Sequence, residues 1–266
     1  AGRGAAGTGA ESVKGRAAGN AGARFRHLLV FIPAALLASL YVAWQVSAAL
    51  NFFYPVWYRA LDIDGHIAHF GPQNRYRDGF ELTTDAERFR LFADIVDSVQ
   101  GGGAGLETLE YHDASGRRLG GLFRPPEIVH LQDVANLVAA LKPWGWAAVV
   151  WVILHGYLIR RRNWPMPGPA RMFALTIAGF FAAVAVILLA GPRRIFYNLH
   201  ELVFPEGHQW FFYYQDSLMS TMMKAPDLFG AIAGQLAVFT IAVFWCLAVI
   251  AYRLSPETAA AQPAAR

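Results

Sequence analysis

Four long apolar runs set the frame of this chain, and polar stretches of very unequal length join them. Residues 28–58 carry no formal charge, with Arg24 and Arg26 just before them. That run is too long for the apolar part of a signal peptide, so it predicts a spanning helix within 24–50. Its small residues Val46, Ser47, Ala48 and Ala49 keep a cleavage reading open. Residues 144–159, 172–191 and 228–252 are the other three runs. Each matches the roughly 20 residues that a helix needs to cross a bilayer.

Between the first two runs lies the one sizeable water-soluble part, 51–126. Thr83 or Thr84 can cap a helix whose Phe89, Phe92 and Val96 recur at helical spacing, and Gly101, Gly102 and Gly103 end it. Residues 109–119 alternate around the turn residues Asp113, Ser115 and Gly116 and predict a short hairpin. About 75 residues make a small core, so this head is expected to rest on the membrane domain. Pro125 and Pro126 then open a helix with an early Glu127, a favourable start. It runs through 127–160 as an interfacial helix and the second span, with a kink expected at Pro143. The segment 161–171 is a short Arg- and Pro-rich loop. The fold class is therefore an all-α membrane protein, four transmembrane helices with a small extracytoplasmic α+β head.

Composition supports this reading. The chain is 55% hydrophobic and only 16% charged, with a mean hydropathy of +0.31, outside the ordinary soluble range. A formal net charge of +4 is not gathered into a basic stripe with interleaved aromatics, so no nucleic-acid partner is expected. Cys246 is the single cysteine, which excludes an intrachain disulfide and a thiolate metal cluster. The ends, 1–23 and 253–266, are rich in Gly, Ala or Pro without apolar period and read as disordered tails. Ala1 in place of an initial Met suggests processing or an appended remnant, and 1–23 is set aside from fold reasoning.

Arg-rich flanks orient the bundle. The N-terminal flank and the 161–171 loop are short and basic, which places both in the cytoplasm. Residues 51–142 and 192–227 then share the extracytoplasmic face. Helices joined by so short a loop are expected to pack antiparallel, bringing the start of the second span to the end of the third.

Segment 192–227 is unusual for a connection between spans. It holds His200 and His208, three acidic residues before Lys224, and the aromatics Trp210, Phe211, Phe212, Tyr213 and Tyr214. Such rings favour the membrane–water interface, and the cluster is expected to anchor the segment there as an interfacial loop. His130 stands at the other end of the argument, on the interfacial helix three residues from both Glu127 and Asp133. A carboxylate at that spacing can hold one ring nitrogen and fix the tautomer.

Two stretches also carry a family resemblance. Glu127, Ile128, Val129, His130, Leu131, Gln132, Asp133 and Val134, followed by a span, resemble the first signature of the lipoprotein intramolecular transacylases (Lit). Leu199, His200, Glu201, Leu202, Val203 and Phe204, then Trp210, Asp216, Ser217 and Leu218, and finally Ala225 to Phe229, resemble the second. In outline the likeness covers 25–255. It departs in the N-terminal tail and in the insertion-like turn Pro205, Glu206, Gly207 and His208.

The resemblance implies an enzyme of the bacterial cytoplasmic membrane with its site on the extracytoplasmic face. Such an enzyme moves the sn-2 acyl chain of a diacylglyceryl-cysteine lipoprotein to that cysteine's α-amino group, giving the lyso form. The partners implied are the lipidated lipoprotein and membrane lipid, with no cofactor. The residues matching the family's two histidines are His130 and His200. His130 suits the base and acid, with Asp133 beside it, because an imidazole is matched to an amine of pKa about 8. Glu127, Arg194, Tyr197, Asn198, Trp210 and Asp216 are the expected substrate contacts. No covalent intermediate is required, since amine and ester sit in one molecule.

Other readings are weaker. Glu127, His130, Asp133, His200 and His208 offer metal-ligating groups but lack the HExxH spacing, so no metal is assigned. Ser217 and Ser220 have no nucleophile elbow around them. His155 reads as structural, His27 as a flank residue, and His66, His69, His112 and His208 as surface groups. The competing class is a non-catalytic membrane sensor or assembly factor that binds a partner through its head. Oligomeric state is not legible.

Topology is directly testable. In a Cys246→Ala background, a membrane-impermeant thiol reagent should label Gly102→Cys in intact cells and leave Gly168→Cys unmodified. The reverse pattern would put both histidines on the cytoplasmic side.

Overall fold

The apolar runs are helices, and the polar connections fold against one end of them. In this computed structural model, residues 26–255 are described. Of the predicted tails, only 253–255 fall within that range, and there the last helix continues to Leu254. The elements in order are α1 (Leu28–Ala49), α2 (Tyr54–Ala60), α3 (Ile63–Phe70), α4 (Asp85–Gln100), β1 (Glu110–His112) and β2 (Arg118–Gly121). After them come α5 (Pro125–Arg162), α6 (Pro169–Ala190), α7 (Pro192–Val203), α8 (Leu218–Met223) and α9 (Asp227–Leu254). Among the described residues, α1, α5, α6 and α9 are the four helices long and apolar enough to cross a membrane. The interfacial helix and second span form one 38-residue helix, α5, with Pro143 inside it.

α1 is the middle of the bundle. It packs on α9 along one side and on α5 along another. The buried face of α1 is Phe31, Ala35, Ala38, Ser39, Ala43 and Ser47. Small residues at helical spacing let apolar helices approach closely where lipid removes the hydrophobic drive. Gly145 of α5 lies directly beneath the Tyr41 ring, so that a Cβ there would overlap it. Polar ties add direction: Trp57 Nε1 donates to Gln235 Oε1 at 2.9 Å, and Gln235 Nε2 donates to Ser47 Oγ at 3.1 Å.

The expected antiparallel pairing of α5 with α6 is not the arrangement found. α6 packs on α9 instead. The reason is the path of residues 163–168. Met166 is buried with Phe31, Met172, Phe244, Ala248 and Ala251. The loop is therefore drawn across the ends of α1 and α9, delivering α6 to the far side. His27 and His155 help fasten it. His27 Nε2 donates to the Pro165 carbonyl at 3.1 Å, His27 Nδ1 meets His155 Nε2 at 3.1 Å, and Trp164 stacks on His27. His27 is thus a packed residue rather than only a charged flank.

At the other end, three consecutive residues, Asn51, Phe52 and Phe53, have φ of 48°, 50° and 57°. Left-handed backbone costs a non-glycine residue roughly 1–3 kcal/mol and persists where packing overrides it. Here Phe52 is buried and meets Trp44 edge-on at 5.1 Å. The turn throws α2 under the head. Tyr54, fully buried, stacks on Phe92 at 4.0 Å and donates its hydroxyl to the Met222 carbonyl at 2.7 Å.

Thr84 caps α4 by accepting from Glu87 N, as its sequence predicts. β1 and β2 pair antiparallel with Tyr111 opposite Gly120. All six residues of α8, from the second polar connection, are buried, and the head core continues through them to Leu131, Leu228 and Ile232. The head therefore rests on the spans, and the second connection is part of its core.

Arg88 organises the head's outer edge. It is 3% exposed, with Nη1 donating to Asp64 Oδ1 at 2.6 Å and Nε to Thr83 Oγ1 at 2.9 Å. It also donates to the Tyr58 hydroxyl, which in turn donates to Asp85 Oδ1. Arg88→Ala should lower head stability by about 2–3 kcal/mol, because several buried acceptors lose their donor together. A clear fall in melting temperature of the detergent-purified protein would register it, and an unchanged melt would refute it.

Candidate functional site

Two imidazoles meet across one phenylalanine. His130 lies on α5 well before the apolar run 144–159, hence outside the spanning part. His200 lies in the last turn of α7. The Phe204 ring is 4.9 Å from that of His130 and 5.4 Å from that of His200. Laid end to end, those distances cap the separation of the two imidazole centroids at about 10 Å. Trp210 closes the other side of His200 at 4.8 Å and touches Tyr197 at 5.1 Å, while Phe212 approaches His130 at 6.0 Å.

The two histidines are held differently. His200 Nδ1–H donates to the Phe196 carbonyl one turn back, at 2.7 Å. That bond fixes the tautomer and leaves Nε2 as the acceptor. His130 has no hydrogen-bond partner on either nitrogen among the described residues, and neither nitrogen is sealed from outside. Burial pushes its pKa down to about 4, the neighbouring His200 ring pushes the same way, and Asp133 opposes. At neutral pH His130 is therefore an uncharged ring with a free lone pair.

The expected carboxylate partners of His130 go elsewhere. Asp133 Oδ2 takes His208 Nδ1 at 2.6 Å. The turn that delivers His208 is built by Pro205 and Gly207. His208 N bonds the Pro205 carbonyl at 3.2 Å, and Gly207 has φ of 83°, a value glycine adopts without strain. His208 is an exposed surface group, as expected, and it is engaged there by a carboxylate 75 positions earlier.

Glu127 is 1% exposed and fully occupied. Its Oε1 accepts from Ser217 Oγ at 2.6 Å, and its Oε2 accepts from Arg124 N at 2.9 Å. Burial raises its pKa, while Ser217 and Arg124 hold it back. The structure thus places Glu127 as a tie between α5 and α8 rather than at an open site. Ser217, at 1% exposure, is the donor in that tie, and Ser220 is also buried. Neither is available as a nucleophile.

Asp216 is likewise used inside the protein, paired with Arg75 at 3.1 Å. Of the remaining predicted contacts, Trp210 packs on His200, and Tyr197 meets Trp210 rather than the imidazole. Arg194 and Asn198 are exposed on α7, which buries no residue. The predicted interfacial loop is in fact mostly helical, α7 and α8. The aromatic cluster splits: Phe212 is core and Tyr214 donates to the Ala225 carbonyl, while Phe211 and Tyr213 stay exposed.

No grouping of three or more His, Cys, Asp or Glu arranged for a metal occurs among the described residues. A cleft of about 550 Å³ lies far away, between Phe31, Val152, Gly156, Arg160, Leu247 and Leu254. Thirty helical residues, about 45 Å of α5, separate Arg160 from His130.

The sequence matches no family model and no curated protein. Its structure is similar to the in meso structure of a histidine-to-arginine variant of the membrane integral lipoprotein intramolecular transacylase Lit from Bacillus cereus. The likeness has a TM-score of 0.55 and covers 92% of this chain and 100% of that one, at 15% identity. The two share a fold.

The reassignment of Glu127 is testable. Glu127→Ala should destabilise by about 2–3 kcal/mol through the stranded Ser217 hydroxyl and helix-start N–H, with Ser217→Ala milder. Lost function at an unchanged melting temperature would return Glu127 to the site.

Proposed function

We propose that this chain is a membrane intramolecular transacylase that moves the sn-2 acyl chain of a diacylglyceryl-cysteine lipoprotein onto the same cysteine's α-amino group. The convergence of His130 and His200 on Phe204, at one end of a bundle sharing its fold with such an enzyme, carries the reading. The substrate would be a lipidated lipoprotein of a bacterial cytoplasmic membrane, entering from the extracytoplasmic leaflet.

The residues fit the chemistry step by step. An amine of pKa about 8 must lose its proton before it can attack an ester. His130, uncharged with an unoccupied lone pair, accepts that proton. Burial of the kind that depresses His130 also disfavours an ammonium brought beside it. As the amine nitrogen bonds to the ester carbon, negative charge grows on the carbonyl oxygen. An α7 group such as Arg194, Tyr197 or Asn198 answers that charge, and His200, clamped by Phe196, Phe204 and Trp210 with Nε2 as acceptor, orients the substrate. Collapse breaks the bond to the glyceryl oxygen, which leaves with the electron pair and takes up a proton, so that the amine proton held by His130 is balanced. Because amine and ester belong to one molecule, the protein's chief task is to hold them close.

Mass spectrometry of a reporter lipoprotein's N-terminus decides the matter. Cells making this protein should yield the N-acyl-S-monoacylglyceryl form, and His130→Ala should cut the yield about 100- to 10,000-fold, the range of a general base. Activity kept within about tenfold would remove His130 from that role.

A further inference from the structure

We propose that His208 is a third imidazole of this centre, the proton donor to the departing glyceryl oxygen, presented there by Asp133. The inference rests on the transacylase reading and divides its proton transfers between two rings. Three observations carry it. Asp133 lies three residues beyond His130 on α5, hence on adjoining helix surface, yet its carboxylate holds His208 Nδ1 at 2.6 Å rather than His130. The Asp133 side chain is 13% exposed and that of His208 41%. The carboxylate is thus largely enclosed, while the imidazole it holds reaches the outside. The turn Pro205 to His208, closed by its own 3.2 Å hydrogen bond around Gly207, follows directly on Phe204, the ring that both His130 and His200 touch.

The tautomer follows from the contact. Nδ1–H of His208 donates to the carboxylate whether the ring is neutral or cationic, so the proton it can transfer is the outward Nε2–H of the imidazolium form. A carboxylate behind the ring is what an imidazolium needs, and His130 has none. In the proposed cycle the α-amine nitrogen bonds to the ester carbon and its proton passes to His130. The ester C–O bond then breaks with its electron pair going to oxygen, and that oxygen takes the proton of His208. Afterwards His130 gives up its proton and His208 regains one by exchange with water, so no proton is consumed.

A leaving-group experiment tests the role with the full-length purified protein in detergent. Two diacylglyceryl lipopeptides would be compared, one with the native sn-2 ester and one with an sn-2 thioester. A thiol of pKa about 8.5 departs as thiolate without protonation, whereas an alkoxide does not. His208→Ala and His208→Gln should each lose about 100-fold on the ester and stay within about threefold of the parent protein on the thioester.

Gln keeps a donor to Asp133 but cannot deliver a proton, so it separates acid from anchor and covers the case in which Ala misfolds. Equal losses on both substrates, an ester rate restored by Gln, or no loss in either variant would each overturn the proposal. A parent protein that transfers neither acyl group would instead sink the transacylase reading itself, and this inference with it.

Discussion

The buried contact between Glu127 and Ser217 is the constraint on which the polar end of the molecule depends. It joins the first turn of α5 to the start of α8, 90 residues apart in sequence. A carboxylate at 1% exposure is costly unless each oxygen has donors, and here both do. Tyr54 fixes the other end of α8 through the Met222 carbonyl. With α8 pinned at two points, the preceding stretch from Phe204 to Phe212 has little choice of path. That path carries His208 to Asp133 and packs Phe204 against His130.

The spans obey a different logic. In lipid the apolar faces gain little from meeting each other, so contact is decided by shape and by scattered polar ties. Ala35, Ala38, Ser39 and Ala43 make α1 thin enough to sit between α5 and α9. The loop holding Met166 then routes α6 past its sequence neighbour. α7 follows directly on α6, and Phe204 just beyond its end lies between His200 and His130 of α5.

Taken together, the site is an uncharged imidazole, a second imidazole held by its own helix, and a third held by a carboxylate. Aromatic rings rather than ion pairs space the first two.

The sequence alone determined the elements. Four uncharged or weakly charged runs can only be helices in a bilayer, because no water is there to satisfy open backbone. Thr84, the glycines after Gln100 and the turn at Asp113 likewise marked the head's helix and hairpin from local chemistry. His130 and His200 were singled out by the family resemblance of the two stretches that carry them, each beside a span. What the tertiary structure decided was every partner. Asp133 and Glu127 sit at equal spacing from His130, and sequence spacing offered both as its partners. Yet one reached His208 and the other Ser217, through contacts spanning 75 and 90 residues. Helical periodicity reports which residues share a face, whereas a side chain's partner depends on which distant segment is folded against that face. For the same reason the sequence could name α5 and α6 but not their neighbours. That choice belonged to the burial of Met166, a loop residue whose apolar contacts exist only once α1 and α9 are together.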